Sequence, residues 1–331
     1  MTIVILSHVR VEFVLSFPTA DGSKRMTNKT PVYLGIDIGG TAVKYGWGNP
    51  VSGFNFFDRM QIRTGSVKEL SSIISKILDE TDTHIGLGKV GGIGLGTAGM
   101  IDNKTKKLVG INPNLKQWIN LNPVNIFPEK YRSLVRIEND ANLMALAEAL
   151  KEPDAQYVIG ITIGTGIGCG FVQNGRIYKG SKGLAMELGH NIVKHNGALC
   201  NCGRKGCLEA YTSLGGLRNR ISALYPENRI SGFVDIIYLA AKDRRIKRYF
   251  HDAISYLAVS IANLAINLDP DLIVIGGGAV EIDVYPVKHL FNQIAEELPL
   301  HLRQSVRIKR AEFGNSAGVM GAIILAGQDN L

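Results

Sequence analysis

The 331-residue chain has no run approaching the roughly 18 uninterrupted apolar residues that a membrane-spanning helix requires, and its N-terminal stretch is broken by His8, Arg10 and Glu12. A cytoplasmic protein with no membrane partner is the expectation. Both familiar nucleotide signatures are also missing: no glycine-rich loop ends in Lys-Ser or Lys-Thr, and no GxGxxG opens a helix. Cysteine is scarce, at Cys169, Cys200, Cys202 and Cys207. Three of the four crowd into one short segment, which in a cytosolic chain suits metal ligation better than disulfides. Acidic residues are the minority, 29 against 37 Lys plus Arg, giving a net charge of +8 that favours an anionic ligand, a nucleic acid or an acidic surface without choosing among them. The densest basic run, Lys242, Arg244, Arg245, Lys247 and Arg248, has no interleaved aromatics to stack on bases. It reads as a solvated helix face, and no nucleic-acid partner is expected.

What is present is glycine, at 38 positions, in a chain long enough for two lobes with a cleft between them. Residues 1–26 are set aside as an N-terminal extension, with Met26 an alternative start, and a polar, turn-rich stretch from Asp21 to Thr30 precedes the first strand. From Val32 the pattern VYLGIDI, GGT, AVKYGW predicts a hairpin turning at Gly39 and Gly40. Leu70, Ile73, Ile74, Ile77 and Leu78 form a 3.6-residue stripe that predicts a helix over about 68–81, leading into a buried strand VGGIGLGT. The grammar then recurs: strand SLVRIEND into helix ANLMALAEAL, and a second strand-turn-strand, YVIGITIGTGIGCGFVQNG. A helix over about 252–267, a buried strand DLIVIGGG and a last helix after Ser316 complete an α/β order with two similar openings, as duplicated lobes would give.

The first glycine turn offers Gly39 and Gly40 for close backbone approach to phosphate oxygens, the Thr41 hydroxyl, Lys44, and Asp37 to hold Mg²⁺ or its waters. An ordinary hairpin turn explains the same residues. Two further turns strengthen the nucleotide reading: Gly164, Thr165, Gly166 and Gly168, then Gly276, Gly277 and Gly278. At the carboxyl end of SLVRIEND, Asp140 is either the N-cap of the following helix or the base that accepts a proton from an attacking hydroxyl, with Asn139 positioning a sugar. His190, Cys200, Cys202 and Cys207 follow the pattern H-x9-C-x-C-x4-C and can close a tetrahedral zinc site with no position left for water, hence structural; a reduced thiol cluster is the alternative. Glu187 and Glu209 flank that cluster and suit bidentate hydrogen bonds to adjacent sugar hydroxyls, or lie at the surface. Cys169 reads as a small buried hydrophobe.

These motifs resemble the ROK family of repressors, open reading frames and kinases. LGIDIGGTAVKYG is similar to its first phosphate motif, GLGTAGMID to its sugar-side loop, ENDANLMALAE to its catalytic segment, and ELGH with CNCGRKGCLEA to its zinc and sugar signature. The resemblance runs from Val32 to the C-terminus. It implies a two-lobed, actin-like (hexokinase and ribonuclease H-like) ATPase fold with an interlobe cleft. The expected layout is a small lobe over 27–141 completed by a C-terminal helix over 316–331, and a large lobe over 142–315 carrying the zinc site. It further implies Asp140 as general base, with Gly99, Asn139, Glu187, His190 and Glu209 around the sugar and His190 serving both sugar and zinc. ATP with Mg²⁺, transfer to the 6-hydroxyl of a hexose, and a homodimer or homotetramer belong to the same implication. Glucose is the first expectation, ahead of N-acetylmannosamine, N-acetylglucosamine, fructose or a β-glucoside, with polyphosphate an alternative donor. Two departures, Met186 in GLAM where a second small residue is common and GTAG for GTPG, bear on the sugar more than on the chemistry. A sugar-sensing regulator of the same family is the rival reading, disfavoured because about 31 residues before Val32 are too few for a winged helix-turn-helix and because Asp37 and Asp140 are intact.

Overall fold

A computed structural model describes residues 31–110, 116–226, 236, 238–239, 242–282 and 286–328. The N-terminal extension and the last three residues of the expected C-terminal helix lie outside the described residues. Two five-stranded sheets are built on one plan. In the first, β1 (Val32–Ile38) pairs antiparallel with β2 (Ala42–Asn49), which pairs antiparallel with β3 (Gly53–Gln61). On its other side β1 runs parallel to β4 (Val90–Thr97), and β4 parallel to β7 (Val135–Asn139). A two-stranded hairpin, β5 (Met100–Ile101) with β6 (Leu108–Val109), lies between β4 and β7 in the chain. In the second sheet β8 (Tyr157–Ile163), β9 (Ile167–Gln173) and β10 (Arg176–Ile177) are antiparallel, while β8 runs parallel to β11 (Leu272–Gly276) and β11 to β12 (Arg307–Arg310). The sheet orders match strand for strand, so the repeated grammar of the sequence is a repeated structure.

Helix α1 (Val67–Ile85) buries the predicted stripe, Leu70 to Leu78, against the first sheet. It begins where Ser66 accepts from the Glu69 amide and the Glu69 carboxylate accepts from the amides of Arg63, Thr64 and Gly65. Helices α2 (Asp140–Leu150), the short α3 (Glu209–Thr212), α4 (Leu214–Leu224), α5 (Arg244–Leu268), the short α6 (Gly278–Glu281), α7 (Val287–Glu297), α8 (Leu300–Ser305) and α9 (Ala317–Gly327) follow in order. Helix α1 runs four residues past its expected end, to Ile85, and two further boundaries differ from the sequence reading. Ser133 and Leu134 belong to a 3-10 turn over Glu129–Leu134 and not to the strand. Helix α5 starts eight residues before the expected one, because Asp243 caps it by accepting from the Arg245 amide, and the basic run then lies exposed along its first turns.

Glycine lets the two inner helices sit directly on the sheets. A side chain at Gly35 or Gly94 would strike the backbone of α9 at Val319 or Ala322, and one at Gly160 or Gly170 would strike α2 at Ala145 or Asn142. Thus α9 lies on β1 and β4, and α2 on β8 and β9. The helices also meet each other at Gly321, where a Cβ would collide with the Leu143 carbonyl. Glu148, fully buried near the end of α2, accepts from the amides of Glu312 and Phe313 at 2.8 Å each, fastening the segment that precedes α9.

Candidate active site

The first glycine turn is closed by the Gly39 amide donating to the Ala42 carbonyl at 3.0 Å, and Thr41 and Gly40 stand exposed at its tip. Asp37 ends up inside, 8% exposed, opposite Lys44 in the β1–β2 register, with Lys44 Nζ 3.8 Å from its Oδ2. Burial raises its pKa and Lys44 opposes the rise. A carboxylate enclosed this way, with its one cation beyond close hydrogen-bonding distance, is a donor suited to a hard divalent ion. The first turn of α9 encloses it further: a Cβ on Gly318 would lie 2.6 Å from Asp37 Oδ2.

The second turn is held by the Gly164 amide donating to the Gly166 carbonyl at 2.9 Å, with Thr165 exposed; Gly168, just inside β9, packs against Thr162 and Ala141. Of the third set, Gly276 is the buried last residue of β11, packed against Ala311. Gly277 has φ +96, which favours glycine, and packs on Ile163 at the end of β8. Gly278 and Gly164 face open space. Two turns of the second sheet therefore stand side by side and present bare backbone, a surface on which phosphate and ribose can lie.

At the β7–α2 junction the helix cap is Asn139, not Asp140. Asn139 Oδ1 accepts from the amides of Ala141 and Asn142, while its Nδ2 donates to the Gly99 carbonyl at 3.0 Å. The capping explanation of Asp140 is thereby removed, since the neighbouring side chain does that work. Asp140 Oδ1 accepts from the Ala141 amide at 2.9 Å, which leaves Oδ2 available. Burial, then the charge of Asp37, push its pKa up to about 6. Gly99 itself has φ +101, so the loop after β4 makes its turn at a residue without a side chain.

Across the cleft, Glu187 is pushed up to about 7 by burial, then by the charges of Glu209 and Asp140, which marks the three carboxylates as neighbours. His190 Nε2 lies 4.0 Å from Glu187 Oε2. Glu209 Oε2 accepts from the Ile167 amide at 2.9 Å, so this carboxylate also fastens the second glycine turn. The residue before Glu187, Met186, has φ +68, a left-handed backbone costing a non-glycine residue on the order of 1–3 kcal/mol, and it packs on the core of the second lobe.

His190, Cys200, Cys202 and Cys207 bring four ligand atoms within 4.8 Å of one another. Cys200 Sγ is 3.7 Å from His190 Nδ1, and Cys202 Sγ is 3.7 Å from Cys207 Sγ. A tetrahedron with zinc–sulfur bonds of about 2.3 Å has edges of about 3.8 Å, so the donor set fits that ion. Cys200 Sγ also approaches Glu209 Oε1 at 3.9 Å, joining the cluster to that carboxylate. Cys169 stands apart, 6% exposed, its thiol pushed well up by burial.

Glu138, Lys179 and Gly318 join this neighbourhood without having been singled out from the sequence. Glu138 was visible as the first letter of END; Lys179, a single lysine in a loop, carries no pattern.

Comparison with known proteins follows the same residues. A family model described as the ROK family matches residues 33–329. An N-acetyl-D-glucosamine kinase of Histophilus somni is 30% identical over 315 residues, 89% of this chain and 98% of that protein. A glucokinase of Halalkalibacterium halodurans is 32% identical over 314 residues, 87% and 93% of the two chains. A ROK family glucokinase from Streptomyces griseus, solved with glucose and AMPPNP, superposes with a TM-score of 0.71 at 26% identity, covering 90% of this chain and 99% of that one. The two sheets with their inner helices are thus the actin-like ATPase fold of such kinases.

Proposed function

The chain belongs to the ROK family and is a sugar kinase, and on that premise we propose that it transfers the γ-phosphoryl group of ATP to the 6-hydroxyl of glucose or N-acetyl-D-glucosamine, with Asp140 as general base. The observation that carries the reading is a buried carboxylate at the head of α2, freed from capping by Asn139 and poised near neutrality. In the ionised form its Oδ2 takes the hydroxyl proton as the sugar oxygen bonds to phosphorus and the bond to the ADP oxygen breaks. Gly99, Asn139, Glu187, His190 and Glu209 surround the acceptor, and carboxylates paired with an imidazole suit vicinal hydroxyls. The turns at Gly39–Thr41, Gly164–Gly166 and Gly276–Gly278 cradle the nucleotide. Asp37 would hold Mg²⁺ or its waters, and the ion would neutralise phosphate charge. His190, Cys200, Cys202 and Cys207 would hold a structural zinc, which fixes the segment carrying Glu209.

Glucose and its 2-acetamido derivative are both proposed because relatives of each name align over nearly the whole chain. The test is ADP release with Mg-ATP across glucose, N-acetylglucosamine, N-acetylmannosamine, mannose and fructose, wild type against Asp140→Ala. One of the two gluco sugars is expected to lead, and the variant to lose roughly 10² to 10⁴ in kcat. Near-normal turnover by Asp140→Ala would remove the base, and a preference for fructose or mannose would remove the proposed acceptor.

A further inference from the structure

The segment between β10 and Glu187 crosses from the second lobe to the first. Lys179 Nζ lies 2.6 Å from Glu138 Oε2, the last residue but one of β7, and Glu138 is only 5% exposed. The other oxygen of Glu138 accepts from the Asn139 amide at 2.9 Å and from Asn142 Nδ2 at 3.0 Å. Among the described residues, the partners of this buried carboxylate are Asn139 and Asn142, on either side of Asp140, and Lys179. Exposed ion pairs contribute little; here the Lys179 side chain is 34% exposed and that of Glu138 only 6%, so loss of the lysine leaves the enclosed carboxylate uncompensated.

Lys179 is equally committed on its own side. Its carbonyl accepts from the Ala185 amide at 3.3 Å, so the segment folds back on itself just before Met186 and Glu187. Gly180 and Gly183 turn the chain with φ +67 and +83. A Cβ at Gly183 would lie 2.7 Å from the Ile101 carbonyl, and the Asn103 amide donates to the Lys182 carbonyl at 2.9 Å. The loop is thus pinned to the first lobe at two places, by the β5–β6 hairpin and by Glu138. Little freedom remains in the segment from Lys179 to Glu187.

We infer that the Glu138–Lys179 pair is the tie that sets Glu187 in register with Asp140 across the cleft, and that Lys179 is a positioning residue for phosphoryl transfer. The inference rests on the kinase reading above for its catalytic consequence but not for the tie itself. Lys179 touches neither reacting atom; it acts through the place it gives to Glu187 and, by way of Glu138 and Asn139, to Asp140. A displacement of about 1 Å between acceptor-binding groups and base is enough to lose roughly 10²-fold in rate.

The experiment compares wild type, Lys179→Met, Lys179→Arg, Glu138→Gln and the double variant Glu138→Gln/Lys179→Met, all zinc-loaded, with Lys89→Met as an exposed control. Gln at 138 keeps an acceptor for Asn139 and Asn142, so it breaks the tie alone. Expected are a 10- to 100-fold loss of kcat in Lys179→Met and Glu138→Gln, KM for Mg-ATP within about twofold of wild type, and substantial recovery in Lys179→Arg. The double variant should be no worse than the weaker single one, as coupled residues behave. Amide hydrogen exchange should speed up at Asn103 and Ala185 in Lys179→Met but not in Lys89→Met. Wild-type kcat and unchanged exchange in Lys179→Met would overturn the tie, and faster exchange with unchanged kcat would overturn the positioning role. Additive losses in the double variant would do the same. A wild type inert toward every sugar would count against the kinase reading, with exchange still deciding the tie.

Discussion

Among single residues, Asp140 and Asp37 show most directly how environment sets chemistry. A base must be ionised to accept a proton, and burial with the nearby Asp37 charge lifts Asp140 to about 6. We predict that kcat/KM for the sugar falls as pH drops through about 6 and levels off above it. Carboxyl-carbon NMR of the ligand-free protein should find Asp140 titrating lower in Asp37→Asn than in wild type; an unmoved titration would reject the coupling. Because the folded pKa lies above the unfolded one, the protonated form is the one the fold favours. Asp140 therefore contributes stability below about pH 4 that is lost as pH rises through about 6. What the sequence left open here was whether Asp140 caps the helix or serves as the base, and Asn139, which takes the cap, reads there only as a residue that positions a sugar. Both have the right chemistry, and only the backbone decides. The role of Lys179 was not legible at all, because its partner lies 41 positions away and no periodicity connects them.

For whole elements, the strands and turns that build the site were legible because glycine and alternation mark them, and β1, β4 and α2 begin or end where the pattern placed them. The start of α5 was missed because its first turns carry charges and a single buried residue, Ile246, where a stripe was sought. Helix α9 was visible as a helix, yet its part in the site was not. The contact of Gly318 with Asp37 joins residues from opposite ends of the chain. We predict that Gly318→Ala, which places a methyl 2.6 Å from the Asp37 carboxylate, lowers kcat by at least about tenfold with a raised Mg²⁺ requirement. Gly88→Ala, with open space around its Cβ, should change nothing; equal activity in both variants would dismiss the contact. At the cysteine cluster, Cys202→Ser is expected to reduce bound zinc and, through Cys200 and Glu209, to weaken both sugar binding and the hold on the Ile167 turn. Metal analysis beside KM for sugar and ATP checks this, and normal zinc content with normal KM values would refute it.

At the scale of the molecule, the duplicated sheets were foreseen from two similar openings, whereas how the lobes share helices could not be read from a linear pattern. We propose the lobe boundary near residue 141, with 27–141 joined by the C-terminal helix over 316–331 and 142–315 forming the other lobe. Limited proteolysis confined to the neighbourhood of residues 141 and 315 would support it, and indiscriminate cleavage within either proposed lobe would not. Contacts of α2 and α9 with opposite sheets make this pair the seam between them. Gly321 meets Leu143, and each lies three residues past a residue of the site: Gly321 past Gly318, which packs on Asp37, and Leu143 past Asp140. Three residues of helix span only about 4.5 Å. The crossing therefore lies close to the two carboxylates. Were one sheet to swing against the other about this crossing, the distant rims would travel through long arcs while Asp37 and Asp140 barely parted, as the blades of scissors open widely at their tips and hardly at the screw.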